Sequence, residues 1–211
     1  MPPVRCQIST LAHARAEFVR HPGPRLLAAE LAVLLAARLV WGSWSVSVAV
    51  VVAVLLAVNP FTEWLIHVFL LHCPADGGRR DRIVGYSHRR HHEDPRDLRF
   101  QFIRPSVIYG GMVVNAAIVL AFRTDAALTG VLAAVVITLF YEWVHFLIHT
   151  DHAPRNAIYR RLHRAHRLHH FRNEKYWLGV TTRTADRVLR TNPRKEDVEI
   201  SPTAKSALVA R

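Results

Sequence analysis

Four stretches of the chain are apolar and are separated by polar runs: about residues 26–41, 44–64, 107–122 and 126–146. Gly42 and Ser43 leave only a tight turn between the first two, and Arg123 to Asp125 joins the last two. Each pair is therefore predicted to form an antiparallel helical hairpin. A helix rises about 1.5 Å per residue, so roughly 17–20 apolar residues cross a hydrocarbon core about 30 Å thick. The second and fourth stretches satisfy that length. The first and third are short and call for little tilt or local thinning of the bilayer. Pro60 falls late in the second stretch, where it either kinks the helix or marks a new start.

Residues outside these stretches divide into three parts. The segment up to residue 25 is polar and bears Arg, and its Leu11, Ala14 and Phe18 alternate with Arg and His as in an interfacial helix. Residues 26–190 form the membrane domain. Residues 191–211, with Pro193, Lys195, Glu196 and Asp197, read as an exposed and partly disordered tail.

Composition agrees with a membrane class: 51% of residues are hydrophobic and the mean hydropathy is +0.11. The net charge of +12 would otherwise suggest a polyanionic partner, but its distribution argues against nucleic acid. Of 28 Lys and Arg, 4 precede the first apolar stretch, 8 lie between Cys73 and Arg104, and 14 follow His149. With four crossings all three basic stretches fall on one side, which is the positive-inside pattern, so both termini are expected in the cytosol. Cys6 and Cys73 are far apart and form no C-x2-C pair, so they read as two free thiols in a reducing compartment. The polar leader contains Pro22 and Pro24 and is not followed by a convincing small-residue cleavage site. The first apolar stretch is therefore expected to be an uncleaved membrane segment and not a signal peptide.

The chemistry lies in the histidines. Ten of the 14 fall into four clusters: His67 and His72; His88, His91 and His92; His145 and His149; His166, His169 and His170. Neutral imidazole is a common ligand for iron, zinc, copper and nickel. A closed structural zinc site needs four ligands, so ten at recurring spacing point to a dinuclear metal centre. Counted along their helices, the first and third clusters emerge just beyond the cytosolic boundary, and the other two lie in cytosolic segments. The predicted fold class is thus all-α: an integral membrane protein with four transmembrane helices and a cytosolic helical cap holding a histidine-rich dinuclear site. Residues three and four apart share a helix face, so each H-x2-HH cluster is expected to present its rings to one centre. His67 and His72 are about 140° apart on a regular helix, which suits bridging a wide site or serving two metals better than chelating one.

Other candidates are weaker. His163 is either a spare or supporting ligand or a polar residue on the same helix. His152 precedes Pro154 closely and reads as a turn residue, while His13 and His21 read as surface groups. Glu63 and Glu142 each precede a cluster by a few residues. They either orient a ligand imidazole through its second nitrogen or pair with a nearby Arg.

The clusters bring a family into view. EWLIHVFLLH (Glu63 to His72), HRRHHEDPRDLRF (His88 to Phe100), HFLIH (His145 to His149) and HRLHHF (His166 to Phe171) resemble, in order, the histidine boxes of the fatty acid hydroxylase superfamily. A Gly-Val-Thr-Thr run at Gly179 to Thr182 follows them. The similarity covers about Glu63 to Thr191 and is nearest to the fatty acid 2-hydroxylase branch. The resemblance implies two iron ions held by the ten matching histidines, with O2 as co-substrate and insertion of one oxygen atom into a C–H bond of a lipid, an acyl chain in the first instance. Purified protein would accept zinc in place of iron, since imidazole binds both.

No cytochrome b5 domain of the kind that some 2-hydroxylases carry is expected within these residues, and they hold no G-x-G-x-x-G nucleotide fingerprint. Electrons are therefore expected from a separate cytochrome b5-like or ferredoxin-like donor, an acidic protein docking on the basic cytosolic face. The stretch YRRLHRAHRLHH (Tyr159 to His170) is also similar to carotenoid hydroxylases and sterol desaturases, which keeps carotenoid or sterol hydroxylation or desaturation as the alternative. Phe61, Trp64, Phe69, Tyr141, Trp143 and Phe146 either line a lateral path for the lipid or serve helix packing and an interfacial aromatic belt. A metal transporter is the rival from another class. It would place ligands near the bilayer midplane, where these stretches are plain Val, Ala, Leu and Ile apart from Glu30.

Overall fold

In the computed structural model, residues 8–204 are described, and they are helical with no strand among them. Among the described residues nine α-helices follow one another: α1 Leu11–Phe18, α2 Pro22–Trp41, α3 Val46–Ile66, α4 Tyr86–Glu93, α5 Leu98–Gln101, α6 Pro105–Phe122, α7 Asp125–Ile148, α8 Ala157–Phe171 and α9 Thr184–Val188. Two short π-helical segments, His67–Leu71 and Asp81–Gly85, lie between α3 and α4. Helices α2 and α6 start earlier than their apolar stretches because Pro22, Pro24 and Pro105 occupy first-turn positions, where a fixed φ and a missing N–H are harmless. Pro60 does not break α3, which runs through it.

Among the described residues, three segments are long and apolar enough to cross a membrane: Val46–Leu71, Leu98–Phe122 and Asp125–Ile148. The chain is accordingly a membrane protein. The expected first crossing is helical, yet α2 is not among the three, because Arg25, Glu30 and Arg38 interrupt its apolar character.

The chain divides into two compact units, with boundaries inside α1, α3 and α7. One comprises Ala16–Asn59 and Phe102–Trp143. Its core joins Leu27, Ile108 and Val135. A Cβ on Gly23 would meet the Ile103 carbonyl oxygen at 2.9 Å, so glycine permits the close approach at the start of α2. Its buried charges are satisfied: Asn115 donates to Glu30 (2.9 Å), and Arg38 donates to Thr129 Oγ1 (2.8 Å) and the Ser43 carbonyl (2.7 Å). Large apolar side chains such as Leu39, Val50, Val113 and Leu120 face outward.

The other unit comprises, among the described residues, 8–15, Pro60–Gln101 and 144–204. Its core includes Ala165, Trp177 and Val198. The C-terminal segment differs from the exposed tail expected for it. Val198 and Ala204 are buried, Arg172 donates to the Val198 carbonyl, and the Ser201 amide donates to the Arg172 carbonyl at 2.8 Å. Those apolar positions are too sparse to form a recognisable period, so only packing reveals them. Residues 205–211 lie outside the described residues, as does Cys6; Cys73 is buried and free.

Candidate metal centre

Four elements deliver ten imidazoles into this unit. The end of α3 and the π turn that follows bring His67 and His72, α4 brings His88, His91 and His92, the end of α7 brings His145 and His149, and α8 brings His166, His169 and His170. They gather into two groups of five: His67, His72, His88, His92 and His169, and His91, His145, His149, His166 and His170. Within each group one ring nitrogen per residue lies within 4.8 Å of all the others. The groups are neighbours, with the His92 and His170 rings stacked at 4.1 Å.

This partition corrects two expectations. Each H-x2-HH cluster divides between the groups: His88 and His92 join one and His91 the other, while His166 and His170 join one and His169 the other. The i and i+4 positions are only about 40° apart on a helix, whereas i+3 lies on the far side of i, so i+3 faces the second group. His67 and His72 belong to one group, not two. The His72 amide donates to the His67 carbonyl at 3.0 Å, an i→i+5 bond that closes a π turn. The wider turn brings His72, five positions on, back over His67, and the rings stack 5.1 Å apart.

Nine of the ten rings are buried, and His72 is partly so. Burial, together with the neighbouring imidazoles, holds His88, His91, His92, His149, His166, His169 and His170 well below the usual histidine range. Burial alone takes His72 down to about 4. At neutral pH these rings carry no charge, which is the form that ligates a cation.

Backbone carbonyls fix several rings. His67 Nδ1 donates to the Leu178 carbonyl (2.6 Å) and His169 Nδ1 to that of Tyr176 (2.9 Å), while the Gln101 backbone bonds His145. Because a carbonyl can only accept, Nδ1 of His67 and His169 carries the proton and Nε2 presents a bare lone pair. In the first group, the Nε2 atoms of His72, His88, His92 and His169 close a ring with neighbours 3.2 Å apart. In the second, those of His91, His149, His166 and His170 follow one another at 3.2, 3.0 and 3.1 Å. An ion about 2.1 Å from each nitrogen places adjacent ligand atoms roughly 3.0–3.4 Å apart. The buried Nε2 of His67 has no hydrogen-bond partner among the described residues. Both groups thus fit a borderline divalent ion held by imidazole alone.

Supporting residues depart from expectation. Glu63 accepts the amides of Val180 and Thr181 and the Thr181 hydroxyl, and Glu142 accepts the Ile103 amide at 3.1 Å. These acids therefore bind backbone amides in place of an imidazole or an Arg. Helical side chains lean toward the N-terminus, so an acid one turn before a histidine reaches away from it. His163 lies half-buried on α8, edge-on to Tyr159, and lines an open pocket of about 490 Å³ with Arg164, Arg167, Arg172 and Lys195. His152 is buried with its Nδ1 at 3.4 Å from the Ser9 carbonyl, and His21 stacks on Phe102 while His13 is exposed.

Among the aromatics, Phe146 is fully buried, Trp143 packs edge-on against Phe18, and Tyr141 and Phe61 are partly buried. Trp64 donates to Thr191 Oγ1 (2.9 Å) and lies edge-on to Phe69, which is 55% exposed. Asp186 was not anticipated: it is fully buried and binds the amides of Leu178 and Gly179. No ligand spacing marks it, and the carbonyls of Tyr176, Leu178 and Gln101 have no side-chain signature at all.

A family model described as Fatty acid hydroxylase matches residues 50–191, a range that holds all ten histidines. No curated protein matches the chain. A solved structure described as full-length scs7p, with only its hydroxylase domain visible, is similar with a TM-score of 0.64 and 18% identity, covering 92% of this chain and 70% of that one. At that identity the likeness is one of fold.

Proposed function

The chain belongs to the fatty acid hydroxylase family, and we propose that it is a di-iron monooxygenase that hydroxylates an acyl chain of a membrane lipid. The observation behind this proposal is the pair of adjacent groups, each of five inward-facing imidazoles. His67, His72, His88, His92 and His169 would hold one iron, and His91, His145, His149, His166 and His170 the other. When bound, the metals supply the oxidising power that an unactivated C–H bond demands, which acid–base side chains lack. In the net reaction one atom of O2 enters the C–H bond to give C–OH. The other leaves as water, taking two electrons from a separate carrier and two protons.

The chain's own residues prepare this chemistry. Burial keeps the imidazoles neutral and excludes water from around them, while the carbonyls of Leu178, Tyr176 and Gln101 hold ring orientation. Exposed Phe69 and its neighbour Trp64 are the aromatics placed to meet a lipid chain. Both termini lie on the cytosolic side in this proposal, with α2 completing an even number of crossings. The hydrogen bonds of Glu30 and Arg38 to α6 and α7 reduce the cost of placing those charges in hydrocarbon. The electron carrier is an acidic protein of the cytochrome b5 or ferredoxin kind, attracted to the cationic pocket on the outer side of α8, the helix whose inner side carries His166, His169 and His170.

The test combines metal analysis with lipid mass spectrometry. Cells expressing the protein should accumulate lipids heavier by one oxygen, the purified chain should hold two irons, and His169→Ala should reduce the product below detection. Lipids lighter by two hydrogens would indicate desaturation instead. Unchanged lipids, or cation uptake into vesicles that survives His169→Ala, would overturn the proposal in favour of another membrane function.

A further inference from the structure

We infer that the loop from Tyr176 to Thr181 is a clamp for only one of the two metals, and that Glu63 and Asp186 are the positioning residues that hold it. This inference rests on the reading of the two imidazole groups as metal sites. Both ligands that the loop touches, His67 and His169, belong to the first group, and they are held by carbonyls two residues apart. Between those carbonyls stands Trp177 at φ +55°, a left-handed conformation that a bulky residue adopts only where its surroundings impose it. Trp177 is buried, its amide donates to the Thr191 carbonyl at 2.8 Å, and its indole donates to that of Pro193 at 3.2 Å.

The loop's own amides face two carboxylates. Leu178 and Gly179 donate to Asp186 at 3.0 and 2.8 Å, and Val180 and Thr181 donate to Glu63. Four consecutive amides are therefore fixed by two buried acids. Glu63 stands one helical turn before His67 on α3, and Trp64 beside it donates to Thr191, whose hydroxyl donates in turn to Asp186 (2.6 Å). The helix that delivers a ligand thus also anchors the carbonyl that orients it. Gly179 completes the device: a Cβ there would lie 2.1 Å from the Thr182 carbonyl oxygen and 3.0 Å from Asp186.

Among the described residues the second group has no matching loop. Nδ1 of His91, His166 and His170 is buried without a hydrogen-bond partner among the described residues, and the Gln101 backbone serves His145. A ring whose second nitrogen is held keeps its tautomer and orientation before the ion arrives, and loss of such a partner typically weakens metal binding about 10–100-fold. The two ions should therefore bind unequally, with the clamped site the tighter.

The test measures Zn(II) affinity of the purified full chain in detergent by competition with a chelator. In a His166→Ala background, which disables the second site, Gly179→Ala should weaken the remaining ion about 10–100-fold. In a His169→Ala background, which disables the first, Gly179→Ala should leave the remaining ion unchanged. If Gly179→Ala fails to fold, Glu63→Gln and Asp186→Asn carry the same expectation, with the apo-protein's melting temperature reporting whether the fold survives. Equal weakening in both backgrounds, or in neither, would overturn the clamp. A parent chain that binds no pair of ions would instead overturn the metal-site reading itself.

Discussion

The two units of this chain handle polarity in opposite ways. In the unit built from α2, α6 and most of α3 and α7, apolar side chains turn outward, and its buried charges are tied to partners within the unit, as Arg38 is to Thr129, Glu30 to Asn115 and Glu142 to the Ile103 amide. In the other, the most buried side chains include His67, His91, His166, His169 and His170, the groups that ordinarily prefer water. A solvent of lipid explains the first arrangement, since an exposed Val or Leu costs nothing there. The second has no such explanation. Ten desolvated imidazoles are tolerable only where something accepts their lone pairs, which is why burial itself points to bound cations.

Truncation of a side chain in each unit separates these two environments, and the interior should show the largest effect. Phe146, fully buried in the histidine-bearing unit, should cost about 3–5 kcal/mol when changed to Ala. Leu39, 76% exposed in the apolar unit, should cost no more than about 0.5 kcal/mol in detergent. Thermal melting of the two variants decides the matter. If Leu39→Ala proves as damaging as Phe146→Ala, the outward apolar face is an interface and not a lipid-facing surface.

Acid should act on the histidine-bearing unit next. Its rings, with His72 down to about 4 and rings such as His88 and His170 held well below the usual histidine range by burial and by neighbouring imidazoles, are uncharged when folded but titrate near 6.5 when unfolded. A base whose folded pKa is depressed takes up more protons on unfolding, so its stabilising effect is complete above about 6.5 and declines as pH falls toward 4 and below. The melting temperature of the metal-free chain should fall across that window, and metal should be released over it, because protons compete for the same nitrogens. A melting temperature flat from pH 7 to 4 would mean that the rings are already charged or open to water.

The sequence made one of these units far more legible than the other. Helix limits came out within a few residues because apolar runs and Pro punctuation are local: the stretch 126–146 is Asp125–Ile148, and 44–64 is Val46–Ile66. The ten histidines were equally visible, because ligand spacing is a property of side chains. Their division into fives was not. Whether His91 joins His88 depends on where α7 and α8 lie, and nothing in HVFLL signals that His67–Leu71 winds as a π turn and brings His72 back over His67. The Tyr176 and Leu178 carbonyls belong to the backbone, which no residue pattern marks. Asp186 is one acid in a basic stretch, and only its bonds to the Leu178 and Gly179 amides mark it out.

The smallest expected effect concerns the outer side of α8, where the two kinds of surface can be compared on one helix. Its inner side carries neutral imidazoles, and its outer side, with Arg164, Arg167 and nearby Lys195, is cationic. Arg167 is half-buried, and its pKa is lowered by desolvation and by Arg96, as expected of a cation awaiting an anionic neighbour. If an acidic carrier delivers electrons here, the double substitution Arg164→Glu and Lys195→Glu should lower kcat/KM for that carrier about 3–10-fold at low ionic strength. At high salt the deficit should disappear, because exposed charges are screened beyond about 10 Å at 0.1 M. Turnover driven by a small uncharged reductant should be unaffected throughout, since neither residue is among the ten histidines that would hold the metals. A deficit that persists at high salt, or that appears with the small reductant, would show that the substitutions disturb α8 itself and that the carrier docks elsewhere.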